Sequence, residues 1–417
     1  MSEIVVAGGK RITGRISVQG AKNSVLPVLA GTVLCEGDCL IENCPALSDV
    51  ETSFKIMRGL GCTCEKNGTA VTVNASRVTL YEIPDSLMRE MRSSVVFLGA
   101  MIGRMGKARI SSPGGCELGP RPIDLHLAAL SQMGVTVREE HGYLDCFAEH
   151  GLHGAEIHLQ FPSVGATENI MLAAATAQGV TVINHAAKEP EISDLADFLN
   201  SAGAHISGSG SDTIRIEGVK RLHGTEHTII PDRIVAATYM ACAAVTGGDL
   251  ILDNIMPPHM MSIFWFFGQC GCTVAINGKT VRITAPETLC RVPTVRSLVY
   301  PGFPTDAGPI AVAVLAAAKG TSVFVENIFE NRFRYIDELK RFGARIKTEG
   351  KIAVIEGVPA FSGTHCECTD LRGGAALMIA ALRAEGVSQI GAIRHLERGY
   401  EDIAGNLQKL GADVKYQ

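Results

Sequence analysis

Gly165-Ala-Thr-Glu-Asn-Ile-Met-Leu-Ala-Ala-Ala-Thr-Ala-Gln-Gly179 is the stretch on which the fold of this chain turns. It reads as a helix over residues 165–178, ended by a glycine that can adopt the left-handed backbone needed at a helix C-terminus. Its apolar residues lie nearly all round and many are small, Ala173-Ala-Ala175 among them. A helix without a polar face is buried. Before it, Glu156-Ile-His-Leu-Gln160 alternates as a strand does, and after it Val180-Thr-Val-Ile183 is a second strand. A second helix is expected over residues 192–202, ending at Gly203. Short strands follow around His205-Ile-Ser207 and Thr213-Ile-Arg-Ile216. The segment is one βαβαββ unit.

The unit recurs. A hydrophobic residue followed by glycine returns at Gly61, Gly134, Gly203, Gly271, Gly343 and Gly411, at intervals of 73, 69, 68, 72 and 68 residues. The glycine closing the apolar helix returns at Gly37, Gly106, Gly179, Gly248, Gly320 and Gly386. Two independent markers with one period indicate six repeats. Other copies of the first helix are as apolar as the first, for example Ala311-Val-Ala-Val-Leu-Ala-Ala-Ala318 and Ala375-Ala-Leu-Met-Ile-Ala-Ala-Leu382. The strands alternate and keep one face for water. The expected architecture is α/β, with helices inside, sheets outside, and two domains of three repeats each.

The 417 residues are 46% hydrophobic and 19% charged, enough to bury large cores, and the net charge is -5. That balance disfavours nucleic acid as the main partner, because phosphate-backbone binding needs a basic surface. An anion site must therefore be a local cluster of cations. Met1-Ser-Glu-Ile-Val-Val6 lacks the basic start of a signal peptide. Apolar runs such as residues 310–318 fall short of the roughly 18 residues of a membrane span. A cytoplasmic protein with no membrane partner is expected. Cys62/Cys64, Cys270/Cys272 and Cys366/Cys368, among 13 cysteines, are spaced to share one face of a strand. They read as buried small hydrophobes rather than metal ligands, and no metal or cofactor is expected.

Aligned, the six copies collect polar residues at two junctions. The first helix starts at Lys22-Asn23, Arg92, Ser163-Val164-Gly165, Asp232-Arg233, Thr305-Asp306 and Asp370-Leu371-Arg372. Asp232, Asp306 and Asp370 read equally as helix N-caps or as ligand-facing groups. Lys22, Arg92 and Arg372 oppose the helix dipole unless an anion sits there. The second helix starts near Asp49, Asp124, Asp194, Asp337 and Asp402, which read as acids in a first turn. Beside them lie Arg121, Arg332 and Arg398, which no capping rule requires. Finally, Ser112-Pro-Gly-Gly-Cys116 places a thiol in a glycine-rich turn five residues before Arg121. Such a thiol is either an acid or nucleophile, or an ordinary surface cysteine.

Eight stretches, in order along the chain, resemble the enolpyruvyl transferases: Gly20-Ala-Lys-Asn-Ser24, Met91-Arg-Ser-Ser94, the run from Pro113-Gly-Gly-Cys116 to Asp124-Leu-His126, Ser163-Val-Gly-Ala-Thr167, Gly302-Phe-Pro-Thr-Asp306, Glu326-Asn-Ile-Phe-Glu-Asn-Arg-Phe333, Thr369-Asp-Leu-Arg-Gly-Gly-Ala375 and Arg398-Gly-Tyr400. The resemblance implies a two-domain inside-out α/β barrel (an inverse α/β prism), with one domain at 22–229, the other at 1–21 plus 230–417, and the active site in a cleft. It implies transfer of the enolpyruvyl group of phosphoenolpyruvate to the 3-hydroxyl of UDP-N-acetylglucosamine, with phosphate released, as the first committed step of peptidoglycan synthesis.

In that pattern Cys116 is the proton donor, forms a covalent adduct with phosphoenolpyruvate, and is the target of fosfomycin-type epoxides. Asp306 is the base. Lys22, Asn23, Arg121, Arg332, Arg372 and Arg398 hold phosphoenolpyruvate. Asn23, Arg92, Arg121, Pro122, Ile123, Asp124, Leu125, Ser163, Val164, Gly165, Asp306 and Ile328 line the nucleotide-sugar site. Phe161-Pro162 stands where several members have a basic residue, and Ala307-Gly308-Pro309 where many have a glutamine two positions after the aspartate. Ala21 before Lys22 disfavours the shikimate-pathway branch, which has an aspartate there. A non-catalytic UDP-sugar-binding paralogue is the alternative from another class. The RNA-cyclase relatives that share the repeat are disfavoured by the acidic balance.

Overall fold

The computed structural model describes residues 3–111 and 123–417. They form two compact units, residues 20–111 with 123–230, and residues 3–19 with 231–417.

In the first unit the apolar helices are Lys22–Thr32, Phe97–Met105 and Val164–Ala174. Every residue of Lys22–Thr32 except Asn23 is buried. Phe97–Met105 meets Val164–Ala174 backbone to backbone. The Gly99 N–H donates to Asn169 Oδ1 at 2.6 Å, and a Cβ on Gly99 would lie 2.3 Å from the Asn169 carbonyl oxygen. Only glycine fits there. Around the helices run three sheets of three or four strands, and Cys35–Glu36 pairs with Leu222–His223 as a separate two-stranded parallel sheet. One orders Glu226–Thr228, Asp38–Glu42, Ala70–Asn74 and Thr63–Asn67, and another Glu156–His158, Val180–Asn184, Thr213–Glu217 and His205–Ser207. The third has Lys107–Ser111, Tyr143–Phe147 and Thr136–Glu140, with a Glu82–Arg109 bridge at its edge. Along Thr213–Glu217, Ile214 and Ile216 are buried while Thr213, Arg215 and Glu217 face water, which is the alternation of a half-buried strand.

The second unit is built from helices Arg233–Val245, Gly308–Ala316 and Leu371–Arg383, which pack on one another. All of Arg233–Val245 and all of Gly308–Ala316 are buried. Each fully buried Ile, Val or Leu contributes about 1.5–3 kcal/mol, so these helices form the centre of the core. The sheets order Thr13–Ser17, Asp249–Asp253, Thr280–Thr284 and Thr273–Asn277; Thr294–Arg296, Thr321–Val325, Ile352–Glu356 and Arg345–Glu349; and His365–Glu367, Val387–Gly391, Ile4–Ala7 and Asp413–Tyr416. In each, the first pair is parallel and the remaining pairs antiparallel.

Three details depart from the sequence reading. Among the described residues every sheet is open, and none closes into a barrel; buried helices, rather than strand pairing, join the sheets of a unit. The helix expected at 165–178 is Val164–Ala174. Its C-terminal end is diverted because Gln178 donates its N–H to Leu152 at 2.9 Å and bridges His153. The helix expected at 192–202 runs Pro190–Ser201, with proline in its first turn. Asp194 is therefore not a first-turn acid. It is buried, with His227 Nε2 at 3.0 Å from its Oδ1 and the Ser24 hydroxyl on its Oδ2.

Cys62, Cys270, Cys272, Cys366 and Cys368 are buried, and burial pushes their thiols up, to about 12 for Cys62, Cys272 and Cys366. Half-buried Cys64 is raised to about 11 by the same cause. Among the described residues no helix is long and apolar enough to cross a membrane.

Candidate functional site

In the first unit Lys22 opens its helix and is buried, with Nζ 2.8 Å from Asp49 Oδ2. Asp49 sits in the first turn of helix Ser48–Leu60, so the two helix starts are tied by one ion pair. Asn23, next in sequence, is exposed. Arg92 opens a 3-10 turn, Arg92–Val96, that runs into Phe97–Met105. Ser163 caps Val164–Ala174, its Oγ accepting the Ala166 N–H at 3.3 Å, with Val164 and Gly165 half-buried in the first turn. Asp124 is exposed at the start of helix Asp124–Gln132, between half-buried Ile123 and Leu125.

Behind this helix start lies His126. Asn169 Oδ1 is occupied by the Gly99 N–H, which fixes the amide and aims Nδ2 at His126 Nδ1, 2.9 Å away. Nδ1 must accept, so the ring proton is on Nε2. Burial lowers the imidazole, Asp124 opposes the fall and Arg92 adds to it, and the net value is about 4. The ring is neutral at pH 7. A Cβ on Gly165 would lie 3.1 Å from the ring, so this helix start and the histidine are in close contact.

In the second unit three aspartates that looked alike in sequence separate. Asp232 Oδ1 accepts the N–H groups of Ile234 and Val235 at 2.9 and 3.0 Å, and Asp370 Oδ1 those of Arg372 and Gly373, both at 3.0 Å. These two are N-caps. Asp306 lies inside the 3-10 turn Thr305–Ala307 and faces two buried guanidiniums. Its Oδ1 accepts from Arg332 Nη2 at 3.0 Å, and its Oδ2 is 3.5 Å from Arg372 Nη2. Burial opposes the charge on Arg372, but Tyr400, Asp306 and Asp232 outweigh it and hold the group above its ordinary value. Arg372 Nη1 donates to the Tyr400 hydroxyl at 3.2 Å, which lies 2.9 Å from Thr238 Oγ1, and Thr238 donates to the Ile234 carbonyl at 3.0 Å. This chain orders the guanidinium. Nε of Arg332 and Nε of Arg372 are both buried without a hydrogen-bond partner.

Arg398 ends the 3-10 helix Ile393–Arg398. The next residues are clamped by Gln19, whose Nε2 donates to the Gly399 carbonyl at 3.3 Å and whose Oε1 accepts the Glu401 N–H at 2.9 Å. Ile328 is half-buried in a turn held by Glu326, whose Oε1 accepts the Ile328 N–H at 2.8 Å. Cys116, Arg121 and Pro122 lie outside the described residues.

Sequence reasoning did not single out His126, Asn169, Tyr400, Gln19 or Glu326 for roles of their own. Each acts through a partner distant in sequence, and no local pattern announces such a contact.

A family model described as EPSP synthase (3-phosphoshikimate 1-carboxyvinyltransferase) matches residues 6–407. The chain belongs to this family of enolpyruvyl transferases. Among family members, it is 50% identical to "UDP-N-acetylglucosamine 1-carboxyvinyltransferase 2" of Caldanaerobacter subterraneus subsp. tengcongensis, covering 99% of each. It is 46% identical to "UDP-N-acetylglucosamine 1-carboxyvinyltransferase 1" of Symbiobacterium thermophilum, covering 98% of this chain and 94% of the other. In structure it is similar to the enolpyruvyl transferase NikO from Streptomyces tendae, with a TM-score of 0.90, 26% identity, and coverage of 100% of this chain and 99% of that one.

Proposed function

We propose that this enolpyruvyl transferase moves the enolpyruvyl group of phosphoenolpyruvate to the 3-hydroxyl of UDP-N-acetylglucosamine and releases phosphate, the first committed step of peptidoglycan synthesis. Its full-length likeness to relatives that carry the matching name places it in that branch. Ala21 before Lys22 agrees, since the shikimate-pathway branch has an aspartate there.

The observation that carries the reading is Asp306 between Arg332 and Arg372, with both Nε groups buried and unpartnered. A buried donor left unpaired costs about 1–3 kcal/mol. Two in one site suit an anion that arrives, and a carboxylate is the planar acceptor that a guanidinium fork fits. Phosphoenolpyruvate supplies one. Lys22, Arg121 and Arg398 join in holding its phosphate and carboxylate, and Asn23 bridges the two substrates. Arg92, residues 121–125, Ser163–Gly165 and Ile328 take the nucleotide sugar, with free N–H groups of a helix start offered to the diphosphate.

Chemistry follows by addition and elimination. Cys116 gives a proton to the methylene carbon of phosphoenolpyruvate while the sugar oxygen bonds to C2 and Asp306 takes the hydroxyl proton. The methyl carbon then gives a proton back to the thiolate left at Cys116, the C2–O bond to phosphate breaks, the phosphate leaves with the proton held by Asp306, and the enol ether forms. The six larger sheets and their helices are, in this reading, copies of one βαβαββ unit arranged inside-out. The test is phosphate release by the purified protein with both substrates present and with each omitted. Release only with both supports the proposal, and binding of the nucleotide sugar without release would favour a non-catalytic paralogue.

A further inference from the structure

We infer that Glu326 is a positioning residue of this reaction, setting the base and the nucleotide-sugar contact from one buried carboxylate. The inference rests on the roles proposed for Asp306 and Ile328.

Glu326 follows strand Thr321–Val325 and is 1% exposed. Its Oε2 accepts from Thr305 Oγ1 at 2.9 Å. Its Oε1 accepts from Ser297 Oγ at 2.9 Å and from the N–H groups of Ile328 and Phe329 at 2.8 and 3.1 Å. Thr305 is the residue before Asp306, and its carbonyl also accepts from Arg332 Nη2 at 3.2 Å. Ser297 repeats the linkage, since its Oγ accepts the Asn327 N–H at 2.8 Å and its carbonyl accepts from Asn327 Nδ2 at 2.9 Å. One arm of the carboxylate thus fixes the turn that aims Asp306. The other fixes the turn that presents Ile328.

All four bonds come from hydroxyl and backbone donors, and none from a cation. A buried carboxylate without an ion-pair partner is costly to keep. Plain loop anchoring would be served as well by a neutral acceptor. What an acidic side chain adds is two oxygens that accept in two directions at once. The two directions here end at two different groups assigned to the substrates. Catalytic rates depend steeply on such placement, and a shift of about 1 Å can cost on the order of 10²-fold.

The arms can be cut one at a time without touching Glu326. Thr305→Val keeps the shape and removes the donor to Oε2. We expect kcat to fall about tenfold with KM for UDP-N-acetylglucosamine within about twofold. Thr305→Ser, which restores the hydroxyl, should return kcat to within about threefold of the parent. Ser297→Ala loosens the other arm, and KM for UDP-N-acetylglucosamine should rise at least about fivefold with kcat largely kept. Circular dichroism melts run alongside. The inference is overturned if the two variants change kcat and KM in the same proportion, if neither changes either, or if Thr305→Ser fails to rescue. A parent protein that releases no phosphate from the two substrates defeats the proposed function itself, which separates the two failures.

Discussion

Lys22 Nζ lies 2.8 Å from Asp49 Oδ2, with the lysine side chain 8% and the aspartate side chain 2% exposed. The pair joins the starts of two successive helices in one unit. Removing one member of a buried pair leaves an uncompensated charge and typically costs about 3–5 kcal/mol. Asp49→Ala should lose stability in that range by urea denaturation. Lys22→Ala with Asp49→Ala should lose less than the sum of the single changes, because the double variant removes both members of the pair together. Additive losses would show that the two residues do not interact.

The position of Asp306 between two buried arginines gives a second expectation. Asp306→Asn can still accept one hydrogen bond from Arg332 but cannot take a proton. The kcat should fall by at least about 10²-fold. The variant also leaves two guanidiniums facing a neutral amide. Inorganic phosphate should therefore raise its melting temperature more than it raises that of the parent. Equal phosphate effects, or a kcat within tenfold of the parent, would remove Asp306 from the role of base.

Thiol chemistry supplies the third. Of the described cysteines only Cys290 is exposed and only Cys64 intermediate; the others are buried. Raised, buried thiols are poor nucleophiles because the thiolate is the reactive form. A fosfomycin-type epoxide should modify Cys116 and stop turnover in step, and Cys290→Ser should leave that inactivation unchanged. Peptide mass spectrometry locates the adduct. Inactivation that tracks modification of Cys290 or Cys64 instead would defeat the assignment. Cys116→Asp should retain some activity and resist the epoxide, since a carboxylic acid can still donate a proton.

The apolar helices were legible because a stretch such as Ala311–Ala318 has no polar face to leave in water, whatever surrounds it. Strand partners were less so. Glu226–Thr228 pairs in parallel with Leu40–Glu42, and Ile4–Ala7 inserts between Val387–Gly391 and Asp413–Tyr416. Alternation sets which face a strand buries but not which distant strand it meets. The same limit applies to the aspartates. Asp232, Asp306 and Asp370 read alike in the sequence, each at the start of an apolar helix, yet two bond to the backbone beside them and one to Arg332 and Arg372. Local spacing predicts a cap, and only the fold brings in arginines from 26 and 66 residues away.

The His126–Asn169 contact makes a pH prediction with a definite sign. The ring is neutral in the fold and lowered to about 4, mainly by burial, from an ordinary 6.5. Above pH 6.5 neither the folded nor the unfolded chain binds a proton at this site, and its contribution is fully present. As the pH falls the unfolded chain binds first, so stability drains away until the folded ring protonates near 4. The total is roughly 3 kcal/mol, of which about 2 kcal/mol is gone by pH 5. Glu168, in the helix that carries Asn169, works in the opposite sense. Burial, helped by Glu191 and Glu189, raises its carboxyl well above the ordinary value, so it favours the fold as the pH falls. The two must be separated by a difference measurement. His126→Gln keeps an acceptor for Asn169 Nδ2 and removes the titration. The stability gap between parent and His126→Gln should move by about 2 kcal/mol in favour of the variant between pH 7 and pH 5. A gap that stays constant over that range, or an imidazole that NMR finds charged at pH 5.5, would show that the ring is not held neutral in the fold.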